Sequence, residues 1–154
     1  MTTYKTASGH YRVLPSETAE QQRIIRLTLS HSAKHPDIKK LFAIPNGGSR
    51  HKLEAKRLKA EGVVPGVPDL CLPVPRLGYH GLYVELKREL FGKGTKFGRW
   101  GKGQCARIRE LRSDGYHATV ACGCDHALQI ILAYLSEDDS ALDKYDRFED
   151  LADD

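Results

Sequence analysis

Three charged side chains in two short apolar stretches have the types and spacing of a metal-dependent catalytic site. Asp69 opens one stretch, residues 69–72, while Glu85 and Lys87 lie two positions apart in another, residues 81–87. Side chains on a strand alternate between faces, so Glu85 and Lys87 share a face. Two carboxylates and an ammonium that converge on a cleft can hold a hard divalent cation and orient a water molecule. We therefore predict a catalytic site with Asp69 and Glu85 as ligands of Mg²⁺ or Mn²⁺.

Lys87 has its own predicted role in this site. An ammonium there would orient the attacking water and stabilise negative charge on a phosphate that is being transferred. The alternative is that the three residues have no catalytic role. In that case Asp69 caps a turn, and Glu85 and Lys87 lie on a solvated strand surface. Their common pattern favours the catalytic interpretation.

The motifs around these residues resemble a known nuclease family. Pro68-Asp69 and Glu85-Leu86-Lys87 follow the pattern of the PD-(D/E)XK superfamily. The longer series is IPNGG at 44–48, LKAEG at 58–62, GVPDL at 66–70 and HGLYVELK at 80–87. In this order the series is similar to the VRR-NUC family in its small, single-domain phage and bacterial form. The resemblance covers roughly residues 16 to 135.

The resemblance implies a fold and an activity. The fold would be the α/β core of PD-(D/E)XK nucleases, with a central mixed β-sheet flanked by helices. The activity would be that of a Mg²⁺- or Mn²⁺-dependent endonuclease that hydrolyses DNA phosphodiester bonds. Small relatives resemble homodimeric nucleases that cleave four-way (Holliday) junctions. Two alternatives stay open: a flap or duplex nuclease of the same fold, and a non-catalytic DNA-binding module.

The resemblance also implies three further site groups. Gln104, at the start of a helical run, matches the glutamine of the family, and the backbone carbonyl of Leu86 would be a metal ligand. An acid on the first helix would complete the site, and Glu20 is the first choice because it is closest to the apolar run that anchors this helix. Glu17 remains open, since a three-residue offset puts both acids on roughly one helix face.

The order of predicted elements gives the architecture. Helices are predicted at about 16–34, 50–61, 104–113 and 125–135, and strands at 41–44, 69–72, 81–87 and 117–122. This alternation predicts an α/β domain with a mixed sheet between helices. The expected divisions are an N-terminal arm over 1–15, the nuclease domain over 16–136 and an acidic tail over 137–154, which is either disordered or packed on a basic surface.

Charge indicates a polyanionic partner. The net charge is +4, but the tail carries −7, which leaves +11 on residues 1–136. A body this basic favours nucleic acid, and on charge alone RNA or a protein partner also remains open. Two stretches are the predicted DNA contacts: the turn that opens the second helix and a glycine-rich basic loop. Their candidate residues are Asn46, Ser49, Arg50, Lys52, Lys93, Lys96, Arg99 and Lys102.

Composition predicts a cytoplasmic protein, and the resemblance implies a bacterial or phage-infected cell. No apolar run approaches the ~20 residues of a membrane helix, and the N-terminus lacks the apolar stretch of a signal peptide. The four cysteines are therefore expected to be reduced. Cys122, Cys124 and His126 are closely spaced, but this spacing lacks the pairing of zinc fingers or ribbons.

Overall fold

A four-stranded mixed sheet with helices on both faces is the centre of the computed structural model. The structure describes residues 2–6, 8–45, 52–89, 100–101 and 103–152. Its strands are β1 (Thr2–Lys5), β2 (Tyr11–Leu14), β3 (Phe42–Ala43), β4 (Leu70–Leu72), β5 (Leu82–Lys87) and β6 (His117–Cys122). Its α-helices are α1 (Glu17–Ser30), α2 (Lys52–Ala60), α3 (Gln104–Ser113), α4 (Cys124–Leu135), α5 (Asp139–Tyr145) and α6 (Phe148–Ala152).

The strand order of the central sheet is β3-β4-β5-β6. The β3–β4 and β4–β5 pairs are antiparallel, whereas β5 and β6 run parallel, with α3 in the connection between them. A parallel pair requires a crossover of this kind, because its strands must be entered from the same end. The predicted α/β domain with a mixed sheet is confirmed.

The alternation of β5 divides the interior into two clusters. Leu82, Val84 and Leu86 pack in the larger cluster, to which α1 and α4 also contribute buried side chains. The opposite face of the sheet meets a smaller cluster, in which Ile108 of α3 and Phe148 of α6 are fully buried. Because side chains alternate along a strand, Glu85 and Lys87 lie on this second face.

Helix α1 is shorter than predicted, although its start agrees with the prediction. The Ser16 hydroxyl accepts a hydrogen bond from the Ala19 backbone N–H at 3.1 Å, which is the expected N-cap contact. The helix ends at Ser30 instead of continuing to residue 34, and turns lead to a short 3₁₀ helix, Pro36–Lys40. Within the described residues no helix is both long enough and apolar enough to cross a bilayer.

The first fifteen residues, predicted to form an arm, contain an antiparallel hairpin. Strand β1 pairs with β2 in a separate two-stranded sheet, with Lys5 opposite Tyr11. Leu14 is buried, whereas Tyr11 is 74% exposed. The hairpin is thus attached to the body mainly at its end, next to α1.

The acidic segment at the C-terminus forms the helices α5 and α6, so the expectation of disorder is wrong for this part. Its side chains Leu142, Phe148 and Leu151 are buried. The other expectation, packing on a basic surface, agrees with an ion-pair cluster on α3. Arg112 lies 2.6 Å from Asp146 and 3.0 Å from Glu149.

Replacement of Phe148 by Ala tests whether the acidic segment belongs to the folded core. Phe148 has no solvent exposure, and the Arg112 guanidinium lies 4.6 Å from its ring. We expect a loss of about 3–5 kcal/mol in the free energy of unfolding, measured by chemical denaturation. The matched control is Tyr11→Ala, an exposed aromatic, which should cost less than about 1 kcal/mol. Equal small losses for both variants would contradict a buried C-terminal segment.

Candidate active site

Asp69 and Glu85 are brought together by the pairing of β4 with β5. The register pairs Leu70 with Val84, and continued by one residue it sets Asp69 opposite Glu85. Side chains opposite each other on one face are about 4.5–5.5 Å apart at Cβ. The Asp69 carbonyl accepts the Ile44 N–H at 2.8 Å, and Asp69 Oδ2 accepts the Leu86 N–H at 2.7 Å. The Asp69 carboxylate is therefore fixed against the backbone of β5.

Glu85 is a buried carboxylate, with 2% of its surface exposed. Its Oε1 atom accepts a hydrogen bond from Gln104 Nε2 and lies 2.9 Å from Lys87 Nζ. Its Oε2 atom is also buried and has no hydrogen-bond partner among the described residues. A buried carboxylate oxygen without a partner is costly, and a bound cation would satisfy it.

Gln104 links the two charged residues of β5. Its Oε1 accepts a hydrogen bond from Lys87 Nζ at 2.8 Å, while its Nε2 donates to Glu85. The same Oε1 accepts the Gly101 N–H, so the glutamine also closes the turn before its own helix. The predicted helix start at Gln104 is confirmed, although Gly103 at the N-cap offers no capping side chain.

Two glycines make this turn possible. A Cβ atom on Gly101 would lie 2.8 Å from the side chain of Gln104, which is too close for any substitution without a shift. A Cβ atom on Gly66 would lie 3.2 Å from the backbone of Gly103, and Gly66 has φ +83°. The loop before β4 and the start of α3 therefore approach each other closely at Gly66 and Gly103.

Lys87 is nearly enclosed, with 6% of its surface exposed. Besides Glu85 and Gln104, its ammonium faces the indole of Trp100, at 5.4 Å from the ring centroid. A cation over an aromatic face is attracted electrostatically, more strongly when water is excluded. Lys87 is thus held in one position at the Glu85 carboxylate.

Burial sets the electrostatics of the two carboxyl groups. Desolvation, with the negative charge of Asp69, raises the pKa of Glu85 to about 7, although Lys87 acts in the opposite direction. Desolvation also raises the pKa of Asp69, against the lowering effect of the Leu86 N–H. Two neighbouring carboxylates that are both disfavoured as anions form a suitable site for a divalent cation.

The number of acidic groups fits a magnesium-like ion. Among the described residues, no three His, Cys, Asp or Glu side chains cluster as a metal cage. Mg²⁺ is typically bound by one or two carboxylates and keeps several waters, which phosphate oxygens replace. Asp69 and Glu85, with the partnerless Glu85 Oε2, match this requirement.

The two acids of the first helix have different surroundings. Glu20 is buried, and its Oε2 accepts the Cys124 N–H at 2.9 Å at the start of α4. Glu17 is exposed, and its negative charge raises the pKa of both Asp69 and Glu85. Of the two acids, Glu17 is thus the one whose charge acts on both carboxyl groups, whereas Glu20, the first choice from sequence, accepts a hydrogen bond from the start of another helix. Which acid completes the site stays a prediction. Helix α4 begins at Cys124, one residue before its predicted start.

Most of the predicted DNA contacts lie outside the described residues, which leaves them as predictions. These are Asn46, Ser49, Arg50, Lys93, Lys96, Arg99 and Lys102; Lys52 is the first residue of α2, and its side chain is not described.

In the candidate zinc motif, His126 Nδ1 accepts the Cys122 N–H at 3.0 Å and Nε2 lies 2.7 Å from the Tyr145 carbonyl oxygen. Sequence reasoning missed the contact of Trp100 with Lys87, since the aromatic residue could equally have faced DNA.

No family model matches this chain, and no curated protein matches it. A solved structure described as "VRR_NUC domain protein" has the same fold, with a TM-score of 0.64 and 26% sequence identity. The match covers 82% of this chain and 93% of that one. This chain is thus similar in fold and in sequence to a VRR_NUC domain protein over most of both chains. The resemblance seen in its motifs is therefore confirmed, as is the VRR-NUC nuclease fold.

The raised pKa of Glu85 predicts how a cation should bind to this chain. The carboxyl group holds its proton up to about pH 7, and the proton competes with the cation. The apparent affinity for Mn²⁺ should therefore be about tenfold lower at pH 6 than at pH 8. Thermal melts with and without Mn²⁺ at pH 6, 7 and 8 measure this as a stabilisation that grows with pH.

The matched variant for this experiment is Glu85→Gln, which keeps the shape of the side chain without the titrating proton. In this variant the Mn²⁺ stabilisation should be small at every pH. A control, Glu110→Gln, removes an exposed acid of α3 and should behave like the wild type. A stabilisation that is equal at pH 6 and pH 8 in the wild type would argue against Glu85 as a ligand.

Proposed function

We propose that this chain is a Mg²⁺- or Mn²⁺-dependent DNA endonuclease that hydrolyses phosphodiester bonds, with the four-way junction as its substrate. The observation that carries the proposal is the arrangement around Glu85. One oxygen of this buried carboxylate contacts Lys87 and Gln104, and the other has no partner among the described residues. Asp69, fixed to the backbone of β5, supplies the second carboxylate.

The side chains divide the chemistry between them. Asp69 and Glu85 would hold a divalent cation, and the Leu86 carbonyl is the further ligand that we propose. When bound, such a cation would supply polarisation of a phosphate and a lower pKa for a water molecule. Lys87 orients the water and stabilises the negative charge that develops on the phosphate. Gln104 keeps the Lys87 ammonium in place through a 2.8 Å hydrogen bond.

Symmetry and charge support the choice of substrate. Resolution of a four-way junction requires two paired cuts, and the described residues of one chain contain one such site. A twofold homodimer would supply two sites with the symmetry of the junction. The +11 charge of residues 1–136 supports binding to a polyanion. The proposed DNA contacts are the residues of the two predicted basic stretches, Asn46, Ser49, Arg50, Lys52, Lys93, Lys96, Arg99 and Lys102.

Cleavage assays test the function directly. Labelled four-way junction, flap and linear duplex DNA would be incubated with Mg²⁺, Mn²⁺ or EDTA. We expect the junction to be cut in two symmetric positions with either metal and not with EDTA. Asp69→Asn, Glu85→Gln and Lys87→Met should each lower the rate by about 100-fold or more, because each removes a group that acts at the transition state. Glu110→Gln is the control and should retain the wild-type rate.

Other outcomes have distinct meanings. A preference for flap or duplex DNA would retain the nuclease and reject the junction as substrate. Binding without cleavage in any metal would identify a non-catalytic DNA-binding module. Cleavage that continues in EDTA would contradict the metal-dependent mechanism. Light scattering of the protein, alone and with DNA, would show whether it is a dimer.

The first-helix acids give a further prediction. We propose that Glu17 completes the site and that Glu20 joins α1 to α4. Glu17→Gln should lower cleavage by about tenfold or more with an unchanged melting temperature, since its side chain is exposed. Glu20→Gln should instead cost about 1–3 kcal/mol in stability and leave the rate of the folded enzyme nearly unchanged. The opposite pair of results would return Glu20 to the catalytic role expected from sequence.

A further inference from the structure

Trp100, the sole tryptophan of the chain, lies between the candidate site and the C-terminal helix. On one side its ring faces the Lys87 ammonium, 5.4 Å from the ring centroid. The next residue, Gly101, donates its N–H to the Gln104 side chain. Trp100 therefore contacts Lys87 directly. Its neighbour in sequence, Gly101, contacts Gln104.

On the other side, Trp100 is held by α6. Its Nε1–H donates to the Leu151 carbonyl oxygen at 2.7 Å. Leu151 lies in the last turn of this five-residue helix, where carbonyls have no partner within the helix. An indole N–H can only donate a hydrogen bond, so this contact satisfies both the Trp100 donor and the Leu151 acceptor. The ring also packs edge-to-face on Phe148, with centroids 6.0 Å apart.

Helix α6 is itself firmly attached to the body. Phe148 is fully buried between α6 and the sheet face that carries the site, and Arg112 of α3 lies over its ring. Arg112 also pairs with Asp146 and Glu149 on either side of this phenylalanine. A continuous set of contacts thus runs from α3 through the acidic segment and Trp100 to Lys87.

We infer that Trp100 is a positioning residue for Lys87, and that the acidic C-terminal segment acts through it as part of the catalytic unit. A lysine side chain has a flexible four-carbon stem, so the position of its ammonium depends on the groups that surround it. Glu85 and Gln104 contact the Lys87 ammonium through polar atoms, and the indole face adds an electrostatic attraction from another direction. The Leu151 carbonyl fixes the ring plane. The inference rests on the proposed function, since positioning matters only if Lys87 acts on a phosphate.

Two substitutions separate the ring from its hydrogen bond. Trp100→Phe keeps an aromatic face and removes the N–H that Leu151 accepts, whereas Trp100→Leu removes both. We expect kcat on DNA to fall about tenfold in Trp100→Phe and about 100-fold in Trp100→Leu, with KM changed less than about twofold. The control is Phe42→Leu, at an aromatic residue that is 48% exposed, which should have wild-type kinetics.

A spectroscopic measurement tests the contact without relying on activity. Full-length protein labelled with 5-fluorotryptophan gives one ¹⁹F resonance, because Trp100 is the sole tryptophan. We expect Lys87→Met and Phe148→Leu each to shift this resonance, and Phe42→Leu to leave it unchanged. Mn²⁺ should broaden it in the wild type and not in the double variant Asp69→Asn/Glu85→Gln.

The outcomes distinguish this inference from the proposed function. An increase in KM with unchanged kcat would make Trp100 a DNA contact and overturn the inference, as would a lower melting temperature with unchanged kinetics. If the wild type cuts none of the DNA substrates, the proposed function fails. The ¹⁹F experiment then decides alone: a resonance that does not respond to Lys87→Met overturns the contact, and a resonance that responds supports it.

Discussion

The buried carboxylate of Glu85 is the constraint to which most of this structure responds. An anion in an apolar interior loses its hydration at a cost of several kcal/mol, and the protein must supply substitutes. Lys87, two residues along the same strand face, supplies the opposite charge, and Gln104 supplies a hydrogen bond. These groups meet only one of the two carboxylate oxygens. Among the described residues this acid is therefore only partly satisfied, an arrangement typical of sites that give up stability for function.

The hydrogen bond that Glu85 accepts from outside its own strand explains the position of α3, because Gln104 of this helix is the donor. This helix begins directly at Gln104, at the level of the site, and its buried Ile108 packs on the same face of the sheet. The turn before it is closed by the glutamine side chain, so the contact with Glu85 and the helix start depend on the same group.

Short-range patterns predicted the core of the site. The period of two placed Glu85 and Lys87 on one face, and the order of elements predicted a mixed sheet with the helix start at Gln104. The choice between Glu17 and Glu20 could not be made this way, because both share a helix face. The observation that separates their surroundings is the hydrogen bond from Cys124 to Glu20, which joins residues 104 positions apart and forms only in the folded chain.

The two ends of the chain were harder to predict for different reasons. In the acidic segment, nine acids in eighteen residues led to the expectation of disorder. Three apolar side chains, Leu142, Phe148 and Leu151, are nevertheless buried and attach the segment to the body. In the hairpin, three of the four residues of β2 are exposed, so the strand lacks the alternating burial from which a strand is predicted.

The close approach of Gly66 to Gly103 ties together two segments that carry the site. Gly66 precedes Asp69 by three residues, and Gly103 directly precedes Gln104. A methyl group at Gly66 would lie 3.2 Å from the Gly103 backbone, and its φ of +83° is one that side chains rarely adopt. Any other residue there would require one of the two segments to shift, so the first glycine of the GVPDL motif constrains where Gln104 lies relative to the carboxylates.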